Sequence, residues 1–207
     1  MRASLRVRDL LIASWETDRE SLDNVLPQGV DATPGEDRFR IGLAAFQVEG
    51  GRVGRLPVPA YAQLNVRIDV TWKSEPAVFF VASRVSAGGL PGALFGAPVR
   101  YARLRVEEGA VTAPGRGVRL RYRVGAPADP GPLRDIGLFE NDGLRAFRIE
   151  RGETGWQRAE LLEPAELEFL FALGFHPHGN PELLYAPRTS FAFEVPSRPK
   201  SGKDPYD

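Results

Sequence analysis

The chain has 207 residues, 43% hydrophobic and 26% charged, a composition that supports a packed globular domain and excludes a disordered chain. Basic and acidic residues number 27 each, so no net field draws the protein to nucleic acid or to an anionic membrane. Cysteine is absent, which excludes disulfides, thiolate nucleophiles and cysteine-based metal centres.

From the N-terminus, the apolar run Leu10 to Ala13 is too short for a signal-peptide core. No stretch approaches the ~20 apolar residues of a membrane span. A cytoplasmic protein is the expectation. Glu16 to Val25 is predicted as a short helix before Leu26-Pro27. Phe39, Ile41, Leu43 and Ala45 alternate as a strand expected to end at a Gly50-Gly51 turn. Tyr61 to Trp72 carries the clearest signal. Ala62, Leu64, Val66, Ile68, Val70 and Trp72 alternate with Tyr61, Gln63, Asn65, Arg67, Asp69 and Thr71, as in a strand with one apolar and one hydrogen-bonding face. Ala77 to Ser83 is a continuous β-forming run, expected of a strand covered on both faces.

Further along, Leu90 to Phe95 is predicted to make a turn or two of helix. Val99 to Glu107 and Val118 to Val124 are expected to pair as a hairpin around Ala113-Pro114-Gly115, with Arg119, Arg121 and Arg123 facing outward. Gly125 to Pro132 is a loop rich in breakers. Pro164 to Leu173 has proline at the first helical position, Glu166 and Glu168 early, and Gly174 beyond its end. Phe191, Phe193 and Val195 suggest a closing strand. The pattern lacks βαβ alternation, so a mainly β (α+β) domain is expected: a barrel or two sheets with a few short helices. One domain over residues 1–195 is predicted, followed by a flexible tail over 196–207.

The runs LPVPAYAQLNVRIDV and AVFFVASRVSAGGLPGALFGAPVRYARL resemble the bacterial DUF2071 (YqjF-like) proteins over roughly residues 10 to 195. The family's Arg-Tyr-Arg segment corresponds to Leu144 to Arg148, and its His-x-Pro-Trp element is missing. The resemblance implies the fold of acetoacetate decarboxylase, a β-cone or barrel of antiparallel strands around a pocket. It also implies that Gly96-Ala97-Pro98-Val99-Arg100 matches the stretch holding that enzyme's Schiff-base lysine. Val99 then replaces the lysine, Arg100 the neighbouring cation, and Gln63 a pocket glutamate. An imine needs a neutral amine, which neither valine nor a permanently charged guanidinium supplies. Lys73 lies beside Ser74 and Glu75 in a predicted turn, where it should be solvated. Lysine-dependent decarboxylation is therefore not expected.

The candidate ligand-binding residues are Gln63, Asn65, Arg67, Val99, Arg100 and Tyr101. They form a polar wall where Arg67 or Arg100 grips a carboxylate or phosphate, or else a solvent-facing strand closed by an Arg67–Asp69 pair. Seven arginines (100, 103, 105, 116, 119, 121 and 123) stand against Glu107 and Glu108, a pattern fitting an outward hairpin face better than a nucleic-acid surface. His176 and His178 are the only histidines, too few for a zinc site without carboxylates. No G-x-S-x-G, Walker or dinucleotide motif is present. No metal, cofactor, nucleic-acid or membrane partner is expected, and a homodimer is the base-rate expectation.

Three functions follow. The first is a pocket for a small anionic or carbonyl-containing organic ligand. The second is a lysine-free lyase or hydratase acting through Tyr101, Asp69 or Arg67. The third is a structural or interaction protein whose pocket is filled, favoured if no cavity reaches ~300 Å³.

Overall fold

The computed structural model describes residues 2–33, 39–87, 99–131 and 133–194. The chain runs β1 (Arg2–Thr17), α1 (Arg19–Asp23), β2 (Val30–Ala32), β3 (Phe39–Val53), β4 (Leu56–Val58), β5 (Tyr61–Trp72) and β6 (Glu75–Val85). It continues through β7 (Val99–Tyr101), β8 (Arg105–Glu107), β9 (Ala110–Ala113), a 3-10 turn (Pro114–Arg116) and β10 (Val118–Pro127). The last elements are β11 (Ile136–Glu140), β12 (Leu144–Arg151), β13 (Gln157–Leu161), β14 (Glu166–Leu167), α2 (Glu168–Phe171) and β15 (His178–Glu194).

Strands β1, β3, β5, β6, β11, β12 and β15 pair in that order, and β15 pairs back onto β1, so the sheet closes into a ring. Each of these seven strands is therefore paired on both sides, β11 and β12 over only a few residues on their outer sides. Its pairings are antiparallel except at β6–β11, where Val78 and Phe79 run parallel to Gly137 and Leu138. From β15 the sheet branches outward through β13, β10, β9 and β8.

Tyr61 to Trp72 is one strand, as its alternation predicts. Leu64, Val66, Ile68 and Val70 are fully buried on one face, in a core shared with Leu11, Trp15, Tyr122, Leu138 and Tyr185. A second core, with Leu5, Leu10, Phe46, Tyr61 and Trp156, lies against the ring's inner face. Val118, Leu120 and Tyr122 are buried while Arg119, Arg121 and Arg123 are exposed, again as predicted.

Several elements differ from expectation. The first sixteen described residues form β1, with only the five-residue α1 following. The strand is interrupted by a bulge at Asp9, which takes φ 52° between registers Arg8 and Leu11. The turn expected at Gly50-Gly51 is instead a register shift inside the continuous β3, and the chain reverses at Gly54. The hairpin arm opposite β10 is β9, not the segment from Val99 to Glu107. The helix predicted over Pro164 to Leu173 shrinks to α2, because Glu166 and Leu167 pair with β10. The predicted helix at Leu90 to Phe95, residues Gly96 to Pro98, Pro132, Val195 and the 196–207 tail lie outside the described residues. No described helix is long and apolar enough to cross a membrane.

The β5–β6 hairpin turns through Lys73 (φ 48°) and Ser74 (φ 64°), between paired Trp72 and Glu75. A two-residue loop with both central φ positive favours glycine at its second position. Ser74→Gly should therefore stabilise the protein by roughly 1 kcal/mol, since a non-glycine residue pays about that much in the left-handed region. A higher urea midpoint with an unchanged m-value checks this; an unchanged or lower midpoint refutes it.

Candidate functional site

The hydrogen-bonding face of β5 points into the ring. Gln63, Asn65 and Arg67 line a cavity with Leu5 and Ile12 of β1, Phe46 of β3, Phe80 and Ser83 of β6, Phe139 of β11, Phe147 and Arg151 of β12, and Phe191 and Phe193 of β15. Every ring strand contributes, so the cavity is the interior of the ring itself. It offers about 150 Å³ to the centres of water-sized molecules.

The walls are aromatic. Phe147 stands at the centre of the aromatic wall, its ring centroid 6.1 Å from Phe80, 6.0 Å from Phe139 and 5.6 Å from Phe193. Gly137 makes room for it, because a Cβ there would overlap the Phe147 ring. Phe46 meets Phe191 edge-on at 5.8 Å. These packed rings hold the lining in place.

The polar groups form a short series along β5. Gln63 donates from Nε2 to Asn65 Oδ1 at 2.8 Å, and Asn65 is only 5% exposed. Arg67 donates from Nη2 to Asp69 Oδ1 at 3.0 Å. Its stem lies over Gly42, whose missing side chain leaves space for the Cγ and Nε. Across the cavity, Arg151 donates from Nη1 to Asp135 Oδ1 at 2.6 Å and from Nη2 to the Arg134 carbonyl. Burial holds Arg151 below the ordinary guanidinium range; Arg67's charge adds to this, and Asp135 opposes it. The Arg151 guanidinium nevertheless stays charged at neutral pH.

Tyr61 differs from these. Its ring lines the cavity, it is 3% exposed, and its buried hydroxyl makes no hydrogen bond. Burial raises its pKa, so the phenol stays protonated and available as a donor.

Of the predicted site residues, Gln63, Asn65, Arg67 and Val99 come together at this cavity. Val99 is on β7, which runs parallel to β6 with Val99 beside Ser83. Arg100 is exposed and Tyr101 is 58% exposed, and neither is among the described lining residues. Arg151, Tyr61 and Ser83 are polar lining groups that sequence reasoning missed. Tyr61 was legible as the first hydrogen-bonding residue of the β5 alternation; Arg151 ends a strand that alternates only over its last few residues. Lys73 is exposed in its hairpin turn, with its ammonium 5.0 Å from the Trp72 ring. The two histidines part company. His178 Nε2 lies 2.9 Å from Asp18, whereas His176 packs by Phe171. Among the described residues no group of three potential ligands could hold a metal.

Known proteins share this architecture. An acetoacetate decarboxylase from Legionella pneumophila superposes with a TM-score of 0.63 at 14% identity, covering 95% of this chain and 86% of that one. The enduracididine biosynthesis enzyme MppR, complexed with pyruvate, gives 0.62 at 12% identity over 93% and 88% of the two chains. An acetoacetate decarboxylase-like enzyme from Sphingomonas wittichii RW1 gives 0.59 at 16% identity over 95% and 92%. At these identities the similarity establishes the fold alone. No curated protein matches the sequence. The model of DUF2071, a family of uncharacterized conserved proteins, matches residues 4–190.

Proposed function

This chain belongs to the DUF2071 family, and on that premise we propose that its ring cavity binds a small organic molecule with an apolar body and a carboxylate or carbonyl oxygen, without imine chemistry. The observation that carries this reading is the unpartnered Tyr61 hydroxyl at a cavity that also holds Arg67 and Arg151. A buried hydroxyl with no partner costs roughly 1–3 kcal/mol, a cost that a ligand oxygen accepting its hydrogen bond would remove. Two guanidiniums suit the same oxygen-rich end. The phenylalanines suit the rest. A 150 Å³ apolar cavity has room for a benzene-sized molecule, so the ligand has about six to eight non-hydrogen atoms. Pyruvate, the compound in the MppR complex, is of this size. Val99 gives the cavity an isopropyl group where the decarboxylase resemblance would put an amine.

The small volume favours a second reading, a structural protein with a residual core void, because it falls short of the ~300 Å³ of ordinary ligand pockets. Lysine-free catalysis gains less support, since Tyr61 is held protonated and Tyr101 lies at the surface.

Thermal shift and calorimetry with pyruvate and with 2-oxo acids one and two carbons longer decide between these readings. The expected result is saturable stabilisation by at least one of them, abolished by Arg67→Ala and weakened about tenfold by Tyr61→Phe. Tyr61→Phe should at the same time stabilise the ligand-free protein by roughly 1 kcal/mol, because the orphaned hydroxyl is gone. If no compound binds, or if both variants bind as the parent does, the pocket reading is wrong.

A further inference from the structure

The arginine-rich stretch divides in the folded chain. Arg105 pairs with Glu107 at 2.8 Å, Arg119 with Glu166 at 2.6 Å and Arg123 with Glu160 at 3.5 Å, as in a solvated hairpin face. Arg100, Arg103, Arg116 and Arg121 form no ion pair with any described residue. Two of these, Arg100 and Arg116, flank an arginine from elsewhere in the sequence.

That arginine is Arg84, next to the cavity residue Ser83 on β6. Successive residues of a strand point to opposite faces, so Arg84 leaves the cavity and enters the opposite side of the sheet. It is 7% exposed. Its guanidinium lies 4.8 Å from the Phe169 ring centroid, and Nη1 donates to the Ser83 carbonyl at 3.0 Å. Nε is buried and has no partner. No described carboxylate pairs with it.

Arg100 is the register partner of Arg84 on the neighbouring parallel strand, as Val99 is of Ser83. Arg100 therefore shares the face of Arg84 while Val99 faces the cavity. Arg116 ends the 3-10 turn, and Gly117 after it (φ 57°) abuts Glu168, the residue preceding the Phe169 that covers Arg84. Burial holds Arg84 below its usual basicity, and Arg116 and then Arg100 push it further. Glu168 packs nearby but pairs with none of the three. A buried guanidinium beside two like charges is costly unless an anion shares the site.

We propose that Arg84, Arg100 and Arg116 bind a phosphate-type dianion on the face of the sheet opposite the ring cavity. Three cations and Glu168 leave a local charge matching a phosphate group at neutral pH, which carries about −1.5 to −2. Guanidinium forks grip its oxygens in pairs, and the free Nε of Arg84 supplies a donor from below. The site is independent of what the ring cavity holds.

Calorimetry at fixed ionic strength with inorganic phosphate and with phenyl phosphate tests this. The parent protein should bind saturably. Arg100→Gln and Arg116→Gln, both exposed positions, should each weaken binding roughly tenfold, and the double variant should abolish it while melting as a folded protein. Arg67→Ala should bind phosphate as the parent does. Tighter binding of phenyl phosphate assigns the site to an organic phosphomonoester, and equal affinity assigns it to free phosphate. Absent saturation, undiminished binding in the double variant, or loss in Arg67→Ala would overturn the proposal.

Discussion

Val99→Lys should turn a protein that forms no covalent adduct into one that is labelled stoichiometrically by a 2-oxo acid and borohydride. Residue 99 lines the cavity on β7, so a lysine there would extend its amine toward the space shared by Arg67 and Arg151. Desolvation and two neighbouring cations both disfavour the ammonium form, lowering its pKa and raising the neutral fraction at pH 7. That amine can attack the ligand's carbonyl carbon: a C=N bond forms, water leaves, and hydride from borohydride fixes the adduct as a secondary amine. Intact-protein mass spectrometry, with peptide mapping to residue 99, reads the result. The parent should remain unlabelled, because Val99 brings no amine to the cavity and Lys73, the one lysine among the described residues, sits exposed in the β5–β6 turn away from it. Labelling of the parent would refute the imine-free reading. A folded Val99→Lys protein that binds the acid yet never traps it would remove residue 99 from reach of the ligand.

The second large effect is on stability. Gly51→Ala should cost about 3 kcal/mol or more, lowering the melting temperature by roughly 10 °C in a chain of this size. Gly51 pairs with Leu5, one pair away from the register shift of β3 against β1. A Cβ there would overlap the Ser4 carbonyl oxygen and crowd Leu5 Cδ2 at 2.8 Å. A carbonyl fixed in the sheet cannot swing aside as a long side chain would. Gly115→Ala, with open space around its α-carbon, is the control and should change little. Equal melting temperatures for Gly51→Ala and the parent would show that the strands part there without penalty.

Gly50-Gly51 also shows what the sequence conceals. Two glycines after an alternating strand are a sound turn signal, yet here they serve close approach of backbones inside a longer strand. The bulge at Asp9 had a similar effect. Ala3, Leu5 and Val7 alternate cleanly, but the extra residue shifts the phase, and Leu10 to Ala13 then reads as an unbroken apolar run. β5 was legible because most of its length is unbulged, with one face in the core and one in the cavity. Those two environments produce the polar–apolar alternation directly. β12 borders the cavity too, but its first four residues are all half-buried, and the alternation of Phe147, Ile149 and Arg151 that follows is only three positions long and ends on a charge, so Arg151 read as a surface residue. The pairing of Arg84 with Arg100 depends on a parallel register between strands separated by a crossover, which no local spacing encodes.

The ring is unevenly fastened. β1 is laced to β15 from Arg2 to Glu16, whereas the β11–β12 hairpin is joined to β6 only through Gly137 and Leu138, and to β15 only from Ile149 to Arg151. This panel carries Phe139, Phe147, Ile149 and Arg151, a quarter-turn of the cavity's aromatic and cationic lining. Local opening costs least where the fewest cross-strand bonds must break, so thermal breathing of the barrel is concentrated in the wall that a guest would touch. A guest seated against that wall would suture the weakest joint of the ring, and its binding energy would appear as amide protection along the whole β11–β12 panel.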